Sequence, residues 1–199
     1  MSDADKKPVV GAWEVLKSDE LYRNPYFAFR RETCVLPNDR IMPAYYVWEM
    51  ADWVNVVALT ADGRLILVNQ YRHAAKNRFL EFPGGTTEPA CEESPEQAAR
   101  RELREETGYV PGALRYLGMH YPNPALQDNR MHVYLATDCE RVGEPTLDPF
   151  EDIEVELVAL PEFLLLLGQG RPMHSLMMAS LTLALPAIKT FHSAFFAAL

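Results

Sequence analysis

The sequence predicts an α+β protein, a mixed sheet held between helices in an α/β/α sandwich, with a small antiparallel β region ahead of it. Three observations lead there. A β-branched hairpin, VNVVALTADGRLILVNQY, runs from Val54 to Tyr71. A capped and highly charged helix opens at Ser94. Strand-like and helix-like segments then alternate toward the C-terminus, the pattern of layered sheet and helix.

The elements follow in chain order. Residues 1–10, MSDADKKPVV, are polar and lack the apolar centre of a secretion signal. They are expected to form a disordered tail. Residues 11–52 carry Trp13, Tyr22, Tyr26, Phe27, Phe29, Tyr45, Tyr46 and Trp48 among Pro and Asn turn signals. That composition predicts short antiparallel strands. Residues 53–199 form the main domain. In its hairpin, Asp62-Gly63 supplies the tight turn. FLEFPGG, Phe79 to Gly85, reads as a short strand entering a loop that Pro and Gly keep out of regular structure.

Ser94 is the expected N-cap of the charged helix. Pro95 suits its first position, and Gln97 completes a capping box. Gly108 should end it after Thr107. RMHVYLA, Arg130 to Ala136, and IEVELVAL, Ile153 to Leu160, alternate as strands do. Pro161 starts LPEFLLLLG, closed by Gly168. Met173 to Leu199 predicts one or two helices, broken near Pro186.

Composition narrows the function. Hydrophobic residues are 48% and charged residues 24% of the 199, as in an ordinary globular protein. The net charge of −9 leaves no basic face for nucleic acid. An acidic chain still binds anionic substrates when metal cations lie between them. Cys34, Cys91 and Cys139 are widely spaced, without a CxxC pair. They read as reduced thiols of a cytoplasmic protein. Pro172 to Ile188 is uncharged, but His174, Ser175, Ser180, Thr182 and Pro186 interrupt it. It is also shorter than the ~20 apolar residues of a membrane span.

The chemistry concentrates in RRELREETGY. At about 100° per residue, Glu105 and Glu106 fall about 60° and 40° to either side of Glu102. Like charges at these spacings destabilise a helix. Arg101 offsets part of that through Glu105, four residues on. A solvated charged face is one reading of the cluster. A cradle for a hard divalent cation, which prefers oxygen ligands, is the other.

The segment Gly85 to Tyr109 resembles the Nudix box, G-x5-E-x7-R-E-U-x-E-E-x-G-U. The match is complete from Glu93 onward: seven residues, Arg101-Glu102-Leu103, Arg104, Glu105-Glu106, Thr107, Gly108, with Tyr109 at the final apolar position. Gly85 precedes Glu93 by seven intervening residues instead of five, and strict spacing falls on Thr87. The loop is therefore two residues longer than the pattern. The resemblance implies that Glu102, Glu105, Glu106 and Gly85 hold Mg²⁺, or Mn²⁺. It implies that Glu93 is either held by Arg101 or reaches a metal itself. Family members cleave nucleoside diphosphates linked to another moiety.

VNQYR, Val68 to Arg72, LEFPGG, Leu80 to Gly85, and the aromatic N-terminal region look like the ADP-ribose and nucleotide-sugar pyrophosphatase branch. In that branch the N-terminal sheet is exchanged across a homodimer. Arg72 would then contact phosphate or ribose, and Glu81, placed among Leu80, Phe82 and Pro83, would face the ligand. The surface and structural readings of both stay open. YPNPALQDNRMHVYLA stands where the branch often reads SPGxxxE, with the glutamate position at Asp128 or Asn129. Gln127, Asn129 and Arg130 either contact substrate or bond within their own loop. The aromatics Trp13, Tyr26, Phe27 and Trp48 either stack on a base or form core and interface. The acidic stretch from Asp148 supplies Glu151 and Asp152 as catalytic candidates, with Glu154 third. Alternatively, Glu105 or Glu106 in the box helix supplies the base. The expected activity is metal-dependent hydrolysis of a nucleotide sugar or ADP-ribose. The rival is a non-catalytic sensor on the same fold.

Overall fold

The computed structural model describes residues 11–170 and 173–191. The expected tail at 1–10 and the end of the apolar C-terminus lie outside them. The described residues divide into two units, one running to residue 50 and including 123–129, the other made of 51–122 and the described residues from 130 onward.

In the first unit, β1 (Glu14–Arg23), β2 (Phe27–Val35) and β3 (Ile41–Met50) form an antiparallel sheet in that order. These strands are nine and ten residues long, not short. Facing rings extend them: Phe27 stacks on Trp48 at 5.7 Å between centroids, and Phe29 on Tyr46 at 5.5 Å. Such cross-strand aromatic pairs are a main source of sheet stability. The 123–129 segment joins β3 through Trp48 N to Leu126 O at 2.7 Å and Tyr45 Oη to Ala125 O at 2.8 Å. Trp13, Leu16, Leu21, Tyr26, Ile41 and Trp48 stay exposed.

The second unit is built on β4 (Trp53–Thr60) and β5 (Arg64–Arg72). Gly63, at φ +83°, makes the turn expected at Asp62-Gly63. The hairpin is shorter than its sequence suggests. The two strands pair only at Ala58–Ile66 and Leu59–Leu65. Beyond that, β5 takes β6 (Asn77–Glu81) and β4 takes β7 (Gly84–Thr86). The stretch after Pro83 is thus a strand, contrary to the loop expected. A Cβ at Gly84 would overlap the Val54 carbonyl, so only glycine lets this backbone come so close.

The helix α1 (Pro95–Thr107) has the predicted bounds and caps. β8 (Tyr109–Val110) and β9 (Ala113–His120) follow and pair with β10 (Met131–Arg141). β11 (Ile153–Ala159) adds to β5. Among the described residues these strands form an eight-stranded sheet, parallel at β4–β10 and otherwise antiparallel. Alternation along β4 feeds two cores. Val54, Val56 and Ala58 meet Ala98, Ala99 and Leu103 of α1. Val57 and Leu59 meet the other layer, made by α2 (Leu160–Gly168) and α3 (Ser175–Phe191). The sandwich is the one expected.

α3 runs through Pro186 instead of breaking there. An internal proline costs a helix about 3 kcal/mol. Met177, Leu181, Ala184, Ala187 and Ile188 are buried on both sides of it. Each fully buried apolar side chain contributes about 1.5–3 kcal/mol, so packing outweighs the proline. Among the described residues no helix is long and apolar enough to cross a membrane.

Candidate active site

Capping fixes where α1 begins, and so which side chains meet the sheet. Ser94 Oγ accepts from Gln97 N at 3.3 Å, and Gln97 Oε1 accepts from Ser94 N at 2.9 Å. Gly108, in the left-handed conformation at φ +74°, closes the helix through its N–H to Arg104 O at 2.8 Å. Between these ends, Ala98, Ala99 and Leu103 pack on the sheet, and this drags Glu102 and Glu106 inward with them.

Glu106 is only 4% exposed and Glu102 9%. The charged-face reading therefore fails for these two. Burial pushes the Glu102 carboxyl up to about 7, with Arg101 opposing and Glu105 and Glu151 adding repulsion. Burial drives Glu106 well above the ordinary range, and repulsion from Glu102 and Glu151 adds to it. The Gly84 N–H to Glu106 Oε2 bond, 2.8 Å, and the charge of Arg72 work the other way. Glu105 departs from its neighbours. Its side chain is 45% exposed and bonds Arg101 Nη1 at 3.1 Å.

Arg101 is the hub of the motif. Its guanidinium reaches Glu93 at 2.8 and 3.0 Å, Glu102 at 2.9 Å, Glu105 at 3.1 Å and the Thr86 carbonyl at 3.0 Å. The hydrogen bonds to Glu93, followed by the other carboxylates, hold it further toward the charged form. Glu93 also accepts from Glu88 N at 3.0 Å. The long loop between Gly85 and Glu93 folds into a 3-10 turn at Pro89–Cys91, and Arg101 holds both its ends, the Thr86 carbonyl and the Glu93 carboxylate. Of the two roles open to Glu93, the geometry shows the one with Arg101.

Gly85 lies against the Glu102 carboxylate so closely that a Cβ there would stand 2.5 Å from Oε1. Arg72 forks onto Glu81, Nε to Oε1 at 3.1 Å and Nη2 to Oε2 at 2.8 Å. Arg72 also lies in the field of Glu106 and Glu151, which places this pair beside the box carboxylates. Glu81 receives a further bond from His174 Nδ1 at 3.0 Å. Nothing in the sequence pattern singles out His174. The contact spans 93 residues and depends on how α3 docks.

The acidic stretch splits its two candidates. Glu151 lies close enough to Glu102 and Glu106 for its charge to raise both carboxyls, and its Oε2 accepts from Asp148 N at 2.9 Å. Asp152 turns to Arg78, at 2.7 Å. Arg130 bonds the Tyr121 hydroxyl and lies near Asp52 and Tyr116. Gln127 and Asn129 belong to the first unit, where Gln127 Nε2 contacts Met50 Sδ at 3.4 Å.

Among the described residues no group of three His, Cys, Asp or Glu is close enough to hold a metal by itself. The donors nonetheless fit a hard divalent cation. Glu102 and Glu106 are buried like charges, Glu151 lies in their field, and the Gly85 backbone closes one side. Mg²⁺ takes only one or two carboxylates in such sites and completes its shell with water and phosphate. Without a cation the pair is costly, which is why both carboxyls are pushed toward the protonated form.

Residues 51–180 match the NUDIX domain, and residues 13–48 match the nucleoside diphosphate sugar hydrolase N-terminal domain. The chain is 38% identical over 112 residues to an ADP-ribose pyrophosphatase of Bacillus subtilis, covering 56% of this chain and 60% of that one. It is 35% identical over 133 residues to one of Mycobacterium tuberculosis, covering 67% and 63%. It thus spans about three fifths of the length of these relatives. A crystal structure of an ADP compounds hydrolase superposes with a TM-score of 0.76 at 22% identity, over 89% of this chain and 95% of that one, a likeness of fold. Divalent metals are in general use among Nudix hydrolases. With a matching domain model and the complete Glu93 to Gly108 motif on its capped helix, the chain belongs to the NUDIX family.

Proposed function

We propose that the protein hydrolyses the pyrophosphate bond of a nucleoside diphosphate sugar or ADP-ribose, giving a nucleoside monophosphate and a sugar phosphate. The observation that carries this reading is the buried Glu102–Glu106 pair, set beside Arg72 and Glu151. The names of the relatives, ADP-ribose pyrophosphatase, point to the same substrates.

Glu102 and Glu106, with the Gly85 backbone, would hold Mg²⁺, or Mn²⁺. When bound, the ion supplies charge neutralisation at the diphosphate and makes water a better nucleophile. The protein does the rest. Arg72, its plane fixed by the Glu81 fork, presents its remaining N–H groups to a phosphate. Glu151 takes the proton of the attacking water. Water oxygen bonds to one phosphorus as the bridging P–O bond breaks. Asp152 is engaged by Arg78 and Glu105 by Arg101, so Glu151 is the better base.

The exposed apolar residues of the N-terminal sheet support a homodimer. Sedimentation as a monomer at micromolar concentration would count against it. The free thiols Cys34, Cys91 and Cys139 support a cytoplasmic site of action. The function itself is tested with ADP-ribose, UDP-glucose, GDP-mannose, a dinucleoside polyphosphate, NADH and a nucleoside triphosphate. Released phosphomonoesters are measured with Mg²⁺, with and without EDTA. EDTA-sensitive turnover of a nucleotide sugar or ADP-ribose is expected. Micromolar binding without any turnover would establish a sensor instead.

A further inference from the structure

The C-terminal helix reaches Glu81 directly, and the backbone just after it through Asn55 of β4. His174 stands at the N-cap of α3, where its carbonyl accepts from Met177 N at 3.1 Å and Met178 N at 3.3 Å. Its side chain leaves the helix, and Nδ1 bonds Glu81 Oε2 at 3.0 Å. Two turns on, Ser180 is fully buried. Its Oγ meets the Asn55 amide at 2.9 Å. In the orientation that satisfies both ends of that amide, its nitrogen donates to the carbonyls of Phe82 at 3.2 Å and Pro83 at 3.3 Å. The two contacts therefore hold the Glu81 carboxylate and the backbone just after it.

Glu81 is 4% exposed. Its Oε2 takes both His174 Nδ1 and Arg72 Nη2, while Oε1 takes Arg72 Nε. A buried carboxylate with a single partner could swing. With partners on two sides it has one orientation, and so does the guanidinium forked onto it.

We infer that His174 is a positioning residue of the site: it locks Glu81, and Glu81 locks the plane of Arg72 toward the substrate phosphate. The kinetic part of this rests on the pyrophosphatase reading above; the structural part does not. Arg72 would hold phosphate alike before and during the reaction, so loosening it weakens binding more than turnover.

The test compares wild type with His174→Ala and His174→Asn. Asparagine keeps an N–H donor near the Nδ1 position and is a favoured N-cap, so α3 keeps its start. Two quantities are read: KM and kcat for the best substrate of the panel, with Mg²⁺ saturating, and the NMR signal of the Arg72 Nε–H. Loss of one charge-assisted bond should raise KM about tenfold in His174→Ala, with kcat within about threefold. The Arg72 Nε–H signal should broaden or exchange faster. His174→Asn should restore both. A wild-type KM with an unchanged Arg72 signal in His174→Ala would overturn the inference. So would failure of His174→Asn to restore either readout. If wild type turns over no substrate, the pyrophosphatase reading fails, while the Arg72 signal still decides the positioning.

Discussion

Replacing Glu102 by glutamine should make the metal-free protein more stable at pH 8, and less dependent on pH. Glu102 is 9% exposed, and its carboxyl is raised from 4.5 to about 7 in the folded state. The folded protein thus holds a proton that the unfolded chain has released. The contribution is full below pH 4.5 and is lost as pH rises through about 7. A change of that size corresponds to about 3 kcal/mol. Glu106 shifts in the same direction and adds to the slope. Urea unfolding in EDTA at pH 5, 6, 7 and 8 reads this directly. Wild type should lose stability across the range. Glu102→Gln should lose about 2–3 kcal/mol less, and at pH 8 it should be the more stable protein. Mg²⁺ at about a hundred times its Kd should return about 2.7 kcal/mol to wild type at pH 8, and little to the variant. A flat wild-type profile, or an equal slope in the variant, would refute the reasoning.

Three further outcomes follow from the same geometry. Gly85→Ala would force the end of the Glu102 side chain aside, so turnover should fall at least about tenfold with folding intact, whereas Gly84→Ala meets the fixed Val54 carbonyl and should lower Tm instead. Arg101→Ala strands the partly buried Glu93 and Glu102, and should cost about 3–5 kcal/mol in urea unfolding at pH 8 without metal. Glu151→Gln should lower kcat about 10²- to 10⁴-fold, the usual share of a general base, while Asp152→Asn, which only frees Arg78, should stay within about threefold in the same assay.

Local signals were legible in the sequence, and long-range ones were not. α1 could be read to the residue because Ser94, Pro95, Gln97 and Gly108 act within one turn of where they stand. The longer strands β2 to β5, β10 and β11 were visible as β-branched and aromatic runs, but the divergence of β4 and β5 was not. It depends on β6 and β7 arriving from elsewhere to take the open edges. β9 was missed because ALRYLGMH alternates poorly and buries none of its residues fully. Pro186 misled, since a helix packed on both sides of it tolerates the lost bond. In the site, the spacing of Glu102 and Glu106 already placed them on one face. It also gave the Arg101–Glu105 pair, four residues apart, but it could not say that Glu105, one step round, would lie half in solvent. Arg72 and Glu81 were singled out by resemblance, but the β5–β6 register sets Arg72 opposite Asn77 and Glu81 opposite Val68, so their pairing depends on the long Arg72 side chain reaching along the strands. His174 needed the docking of a whole helix.

The most direct measurement on the central claim is hydrolysis of ADP-ribose and the nucleotide sugars by wild type and Glu106→Gln, side by side, with Mg²⁺ and then with EDTA. The account predicts EDTA-sensitive turnover by wild type, and a loss of at least about a hundredfold in a folded Glu106→Gln. Wild-type rates in that variant, or turnover indifferent to EDTA, would contradict it.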